Sequence, residues 1–445
     1  MIQRGQLTQP TTALVMIFLA AIALGTVLLM LPVSRAPGVP DTSFLTALFT
    51  ATSAVCVTGL VVVDTATHWS TTGLVVLMVL FQLGGFGMMT AATLLGLLVN
   101  KQMRLKSKLL LQTETHALAV GDVKGIAKIV LGITVAVELT MALWLAARFA
   151  WGHDMPWGQA LWYGLFHAVS AFNSAGFALW SDGLMSLVGD GWVLSPIMLA
   201  SFIGGLGFPV LYELMQRRQR ATLSMHVVLT LWGTVILYLV GAVVFYAAER
   251  TRVETMGGLS GMEAAMAALF TSVAARSSGF NVIDLGQLSQ FSMTLHYALM
   301  FIGGGSASTA GGVKVTTFLV LLLVVWNEIR GNQDVEFRGR RIAESAQRQA
   351  LTLLVLSSAA IVLGVLLMLP MTDLAYHLVL YEVISAFANV GSSTGITAQL
   401  PPAAQLLLVV LMFVGRVGVV TLAVALAMNH ARRPYRYPEE KPIVG

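Results

Sequence analysis

Four short polar loops in this chain end in glycine, and together they could surround a dehydrated cation. They are VTGL, SAGF, SSGF and NVGS, built on Gly59, Gly176, Gly279 and Gly391, which lie 117, 103 and 112 residues apart. Each closes an apolar stretch, as in LFTATSAVCVTGL (48–60) and LFHAVSAFNSAGF (165–177). A monovalent cation stripped of water needs several oxygens at once, which rings of main-chain carbonyls from four loops supply. Glycine reaches positive φ without strain, so the carbonyls before it can turn toward a shared axis. The candidate ion-binding backbone is therefore Val57, Thr58 and Gly59; Ser174, Ala175 and Gly176; Ser277, Ser278 and Gly279; and Asn389, Val390 and Gly391. For a single loop, the plainer reading is that glycine lets membrane helices pack closely. Four loops in register favour a pore.

A second glycine cluster follows each loop: Gly84-Gly85, Gly204-Gly205, Gly303-Gly304 and Gly415. In the third copy it grows into GGGSASTAGGV (303–313), with Gly303, Gly304, Gly305, Gly311 and Gly312 around Ser306, Ser308 and Thr309. Glycine is among the poorest helix formers, so this stretch should interrupt an inner helix. Irregular backbone within a membrane is tolerated where it is buried or lines a watery cavity. A loop below the filter, able to act as a gate, is expected. Arg416 lies in the apolar run LLLVVLMFVGRVGVVTL at a similar distance past its own loop. Ionisable residues in such runs are costly and mark functional sites by default, so Arg416 joins the candidate gate. Lys314, just past the glycine segment, is a further candidate, with cytoplasmic water as its expected destination.

Other polar residues read as braces. Asn173 and Arg276 stand three residues before their glycines, where Cys56 and Ala388 stand in the other copies. Arg276 should point away from the axis, toward an acidic partner, because its charge would repel cations. Cys56 is the only cysteine, and excludes an intramolecular disulfide or a cysteine metal cluster. Glu138, His167, Glu213 and Glu382 have no spacing that suggests a metal site or a catalytic triad, and are expected to bond a pore helix or neighbouring backbone.

The elements that carry these loops follow from composition. At 445 residues, 57% hydrophobic and 11% charged, the chain reads as an all-α integral membrane protein. About 110 residues per copy accommodate two spans of roughly 20 residues and a half-membrane pore helix. The expected architecture is four tandem helix–pore loop–helix repeats around one central pore, with eight transmembrane helices. The repeats divide as 1–100, 101–221, 222–348 (with a broken inner helix) and 349–445 (with a cytoplasmic tail). Expected outer helices begin near Thr11, Gly125, Leu223 and Ala350, and inner helices near Gly73, Trp192, Phe291 and Ala403. Asp41, Ser260 and Asp373 sit where pore-helix N-caps belong. The stretches 101–124 and 327–348 should form short surface helices. Lysine and arginine concentrate between repeats and at the termini, as in Arg217, Arg218, Arg220 and Arg338–Arg341. The positive-inside rule then puts both termini in the cytoplasm and the glycine loops outside. The basic pI near 9.4 reflects this topology and does not argue for nucleic acid.

These motifs resemble the TrkH/KtrB/HKT potassium transporter superfamily, through VTGL, SAGF, SSGF, NVGS, QLGGFG and GGGSASTAGGVK across nearly the whole chain. The short N-terminal lead is more similar to the KtrB branch. The resemblance implies a potassium-translocating subunit of the plasma membrane, commonly a homodimer on a cytosolic ring of nucleotide-binding RCK subunits (KtrA/TrkA-like). It also implies K+ as substrate, Na+ as a candidate activator and no tightly bound cofactor. Glycine in all four loops implies potassium, whereas serine in the first marks sodium-preferring plant relatives. Three other readings compete: a sodium- or non-selective alkali-cation transporter, a secondary transporter with alternating access, and a membrane enzyme. The enzyme would need a nucleophile or metal constellation that the sequence lacks.

Overall fold

The computed structural model describes residues 5–107, 123–216, 222–419 and 421. Most of 101–124 and of the C-terminal tail lies outside these residues. Long apolar helices dominate: α1 (Gly5–Met30), α4 (Thr71–Ser107), α5 (Val123–Gly152), α9 (Met225–Glu249) and α13 (Glu344–Met368). Their outward faces carry bulky apolar side chains such as Ile17, Leu24, Leu143, Val243 and Leu366, a surface suited to lipid. The chain is a multi-pass membrane protein.

Shorter helices lie between them. Four end at the glycine loops: α2 (Phe44–Val55), α6 (Trp157–Asn173), α10 (Gly261–Ser277) and α14 (Tyr376–Ala388). Their last turns are buried, from Phe49 to Val55, Phe166 to Asn173 and Tyr381 to Ala388. The four-residue α3 (Thr65–His68) follows the first loop. The remaining helices are α7 (Gly191–Leu206), α8 (Phe208–Met215), α11 (Gln290–Phe301), α12 (Val315–Ile329) and α15 (Pro402–Phe413).

Among the described residues, five helices are long and apolar enough to span a membrane, or six if the bent pair α7–α8 counts as one. The difference from the expected eight has a physical cause. At 1.5 Å per residue, the 12 residues of α11 reach about 18 Å, short of a bilayer core of roughly 30 Å, and α15 is described only as far as the π-turn Val414–Gly418 that continues it. The α7–α8 pair bends by 96° at Gly207, whose φ is 88°. Gly207 precedes Phe208-Pro209, and proline at the second helical position starts a new helix rather than continuing one.

Packing runs in a cycle. Helix α4 contacts α6, α7 contacts α10, α11 contacts α14, and α15 contacts α2. Each of α4, α7, α11 and α15 thus leans on the short helix that leads to the next glycine loop, and the last closes on the first.

Three local expectations are corrected. The N-cap of α2 is Ser43, which accepts from Thr46 N, while Asp41 is exposed and pairs with Arg35. The N-cap of α14 is Ala375, which makes no side-chain cap, rather than Asp373. Ser260 does cap α10, in a reciprocal box with Glu263. The stretch 327–348 does not form surface helices. It holds a hairpin of β1 (Glu336–Phe337) and β2 (Arg340–Arg341), turned by Arg338 and Gly339 at positive φ, and α13 begins inside it at Glu344.

Candidate functional site

The four loop glycines all have positive φ: 96° at Gly59, 71° at Gly176, 69° at Gly279 and 87° at Gly391. They meet shoulder to shoulder. A Cβ on Gly59 would overlap the Ala175 carbonyl oxygen, one on Gly176 that of Ser278, one on Gly279 that of Val390, and one on Gly391 that of Thr58. Every glycine thus abuts the carbonyl just before the next glycine, and the fourth closes on the first. Val57, Ser174 and Asn389, two residues earlier, are also left-handed, with φ of 56°, 62° and 50°. The Ser277 side chain lies outside the described residues.

A bracing pattern missed by the sequence reading holds three of these loops. The amides of Thr58, Ala175 and Val390 donate to the carbonyls of Ser53, Ser170 and Ser385 at 2.7, 2.7 and 2.9 Å. The same serines add their hydroxyls: Gly59 N donates to Ser53 Oγ (3.0 Å), Ser170 Oγ to Phe177 O (2.9 Å) and Ser385 Oγ to Ser392 O (2.6 Å). Their signal was legible, since Ser-Ala recurs six and five residues before Gly59, Gly176 and Gly391, with Val273-Ala274 in the third copy. His167 and Glu382, nine residues before their glycines, receive the amides of Leu179 (3.1 Å) and Thr394 (3.2 Å), three residues past them. Glu382 also accepts from Ser393 and Thr397. Glu213 accepts from Ser224 N and Oγ at the start of α9.

Arg276 points away from the ring, but its partner is not acidic. The guanidinium donates to the carbonyls of Ile302 (3.2 Å), Thr234 (3.3 Å) and Gly303 (2.7 Å), and lies 4.9 Å from the Tyr238 ring centroid. Carbonyls freed where α11 ends satisfy a buried cation that apolar sequence alone would assign to a carboxylate. Cys56 is buried as a packed residue.

The downstream glycines serve close packing. A Cβ on Gly84, Gly204 or Gly415 would overlap the carbonyl oxygen of Val55, Phe172 or Phe387, each four residues before a loop glycine. In the third copy the segment Gly303–Val313 folds back on itself, with Gly303 N donating to Val313 O (2.9 Å) and Val313 N to Phe301 O (3.1 Å). It docks at the break between α7 and α8: Gly305 N donates to Gly205 O (2.8 Å) and Phe208 N to Ala307 O (3.2 Å). Thr309 Oγ1 donates to Phe172 O (3.1 Å) and lies 3.2 Å from Ser174 Oγ, which ties the segment to the second loop. Ser306 Oγ pairs with Thr316 Oγ1 (3.0 Å).

Arg416 sits in a π-turn, Val414–Gly418, and its Nη1 donates to Thr309 O. Such turns recur at functional sites. Its Nε and Nη2 have no hydrogen-bond partner among the described residues. Lys314 is half-buried, and its Nζ donates to Ala310 O at 2.6 Å. A cavity of about 20 Å³, bordered by Met88, Ala310, Gly311, Lys314, Gly415 and Arg416, lies between the two cations. The sequence-designated gate residues therefore come together with the second and fourth copies.

Residues 3–433 match the family model TrkH, described as cation transport protein. The chain belongs to that family. It is 37% identical over 436 residues to the Ktr system potassium uptake protein B of Bacillus subtilis (strain 168), covering 98% of this chain and 97% of the relative. The Vibrio alginolyticus protein of the same name is 36% identical, covering 96% and 93%. Potassium/sodium uptake protein NtpJ of Enterococcus hirae is 33% identical, covering 96% and 95%. Among solved structures, TrkH from Vibrio parahaemolyticus shares the fold, with TM-score 0.71, 18% identity and coverage of 95% and 85%. Family membership makes the chain a cation transporter rather than an enzyme.

Proposed function

We propose that this chain is the membrane subunit of a potassium uptake system, a gated pore whose four glycine loops form the selectivity filter. The observation that carries this reading is the closed cycle in which each loop glycine abuts the carbonyl preceding the next. The carbonyls of Thr58, Ala175, Ser278 and Val390 would replace water around K+, with those of Val57, Ser174, Ser277 and Asn389 one step further along. Helices α2, α6, α10 and α14 would aim their C-termini at the ion, and each helix end carries roughly half a negative charge. In this reading the units 1–100, 101–221, 222–348 and 349–445 are four repeats with eight spanning segments, some of them broken. Basic clusters between repeats support cytoplasmic termini in the plasma membrane.

The segment Gly303–Val313 with Arg416 and Lys314 would be the gate. Two cationic groups below the filter oppose a passing cation, and the Arg416 bond to Thr309 holds the segment in place. The names of the Bacillus and Vibrio relatives support potassium and a multi-component Ktr system, so a homodimer on an RCK-type cytosolic ring is the expected assembly. The name of the Enterococcus relative favours a second reading, in which sodium is carried or acts as activator. Uptake of ⁸⁶Rb⁺ and ²²Na⁺ into proteoliposomes, with and without a purified RCK partner and with sodium varied, tests both. Rubidium uptake that resists excess sodium is expected; equal uptake of the two ions would favour the second reading.

A further inference from the structure

Behind the second loop lies a buried carboxyl group that the filter and gate do not use. Glu138 on α5 is 6% exposed, and among the described residues no lysine, arginine or histidine pairs with it. Its Oε1 accepts from Asn173 Nδ2 (3.1 Å) and its Oε2 from Gln82 Nε2 (3.2 Å). Gln82 Oε1 (2.5 Å) and Val169 O (2.9 Å) also lie within hydrogen-bond reach of Asn173 Nδ2, whose two hydrogens are shared among the three acceptors. Three helices meet in this triad: α4 through Gln82, α5 through Glu138 and α6 through Asn173.

Asn173 is the last residue of α6, and the left-handed Ser174 follows it directly. Its amide is clamped from the other side as well, since a Cβ on Gly85 would overlap Asn173 Oδ1. The arrangement occurs once. The equivalent residue is Cys56 in the first copy and Ala388 in the fourth, neither with an amide to hold, and in the third it is Arg276, which reaches backbone carbonyls. Buried polar groups are expensive unless satisfied, so a carboxyl retained here has its value in what it holds.

We propose that Glu138 is a specificity-determining positioning residue. Through Asn173 it fixes where the Ser174 and Ala175 carbonyls stand, and Gln82 ties that position to the inner helix of the preceding copy. The inference rests on the reading of the second loop as part of the ion path. Glu138→Ala leaves the Asn173 amide without its carboxyl acceptor, and the second loop gains freedom while the other three keep their own bonds.

The test exploits the symmetry of the contact. Exchanging the pair, Gln82→Glu with Glu138→Gln, preserves every hydrogen bond: Gln at 138 donates to the carboxylate at 82, and both still accept from Asn173. Glu138→Gln alone sets two amide NH₂ groups against each other, and Gln82→Glu alone sets two carboxyl groups together. The ⁸⁶Rb⁺/²²Na⁺ uptake ratio should fall about fivefold in Glu138→Ala, the scale of one ordinary hydrogen bond. It should fall in each single exchange and return toward the native value in the double exchange, a coupling that a merely structural contribution to folding would not give in the ratio. A native ratio in Glu138→Ala, or a double exchange no better than the singles, overturns the proposal. If the single variants fail to assemble, the double exchange alone decides: a native ratio supports the triad and an altered one contradicts it. Gly59→Ser serves as control. If it lowers the ratio while Glu138→Ala does not, only the positioning role falls; if neither does, the ion-path reading falls with it.

Discussion

The glycine loops and the segment Gly303–Val313 are both irregular backbone buried among helices, yet they differ in the balance of local and distant bonds that hold them. In three loops the bonds recur within one copy, from the amide before the glycine to a serine on the preceding helix. The segment occurs once, and much of its hold comes from other copies: Gly205 and Phe208 at the α7–α8 break, Phe172 on α6, and Arg416 in the π-turn. Local bonds let a loop keep its shape when neighbouring helices shift. Bonds to distant helices make the segment's position a readout of how those helices sit. Under the proposed function, that contrast would separate the selecting element from the switching one.

The largest effect is expected where the ring itself is broken. Gly391→Ser forces a side chain into φ 87° and against the Thr58 carbonyl. A left-handed non-glycine residue alone costs roughly 1–2 kcal/mol, so the preference for rubidium over sodium should be largely lost in uptake assays. Breaking the segment's hold should act differently. Arg416→Gln removes a charge-assisted bond and should raise flux by up to about tenfold with the ion preference unchanged; a fall in flux in well-assembled protein would remove the gate assignment.

A smaller change should follow at the braces. Ser385→Ala deletes the bond to Ser392 O, worth about 1 kcal/mol, and should lower ion preference a few-fold while leaving the flux nearly native. Away from both regions, Asp190 at the N-cap of α7 contacts Arg148 and His153, each at 2.8 Å. Burial would raise its pKa, but the hydrogen bonds from Arg148 and His153 outweigh burial and hold it below the usual value. A depressed folded pKa gives stability that is present above the unfolded value of about 4 and lost as pH falls through the folded one. Thermal unfolding of solubilised Asp190→Asn should therefore show lower stability at neutral pH and a shallower acid decline, with ion preference intact.

Much of this contrast could be read from the residues. The four loop glycines stand out because one glycine-ended loop recurs four times in register, and Gly303–Val313 stands out because five glycines in eleven residues are too many for a helix. The Ser-Ala repeat before three of the loops is equally legible, but small uncharged residues in a membrane helix carry no distinctive signal. Arg276 misled, because a buried arginine suggests a carboxylate, whereas carbonyls at a helix end leave no mark in sequence. The break at Gly207 had a signal in Gly-Phe-Pro, and the Arg338-Gly339 turn had one in its glycine. The Gln82–Asn173–Glu138 contact had none, since three residues from three helices come together only when the copies pack.

The most direct measurement compares ⁸⁶Rb⁺ and ²²Na⁺ uptake in proteoliposomes of the native chain, Gly59→Ser and a variant with residues 306–309 deleted. The account predicts that Gly59→Ser lowers the rubidium-to-sodium ratio, while the deletion raises the flux of rubidium and keeps the ratio. Contradiction would come from the reverse, a deletion that changes the ratio or a Gly59→Ser protein that retains it.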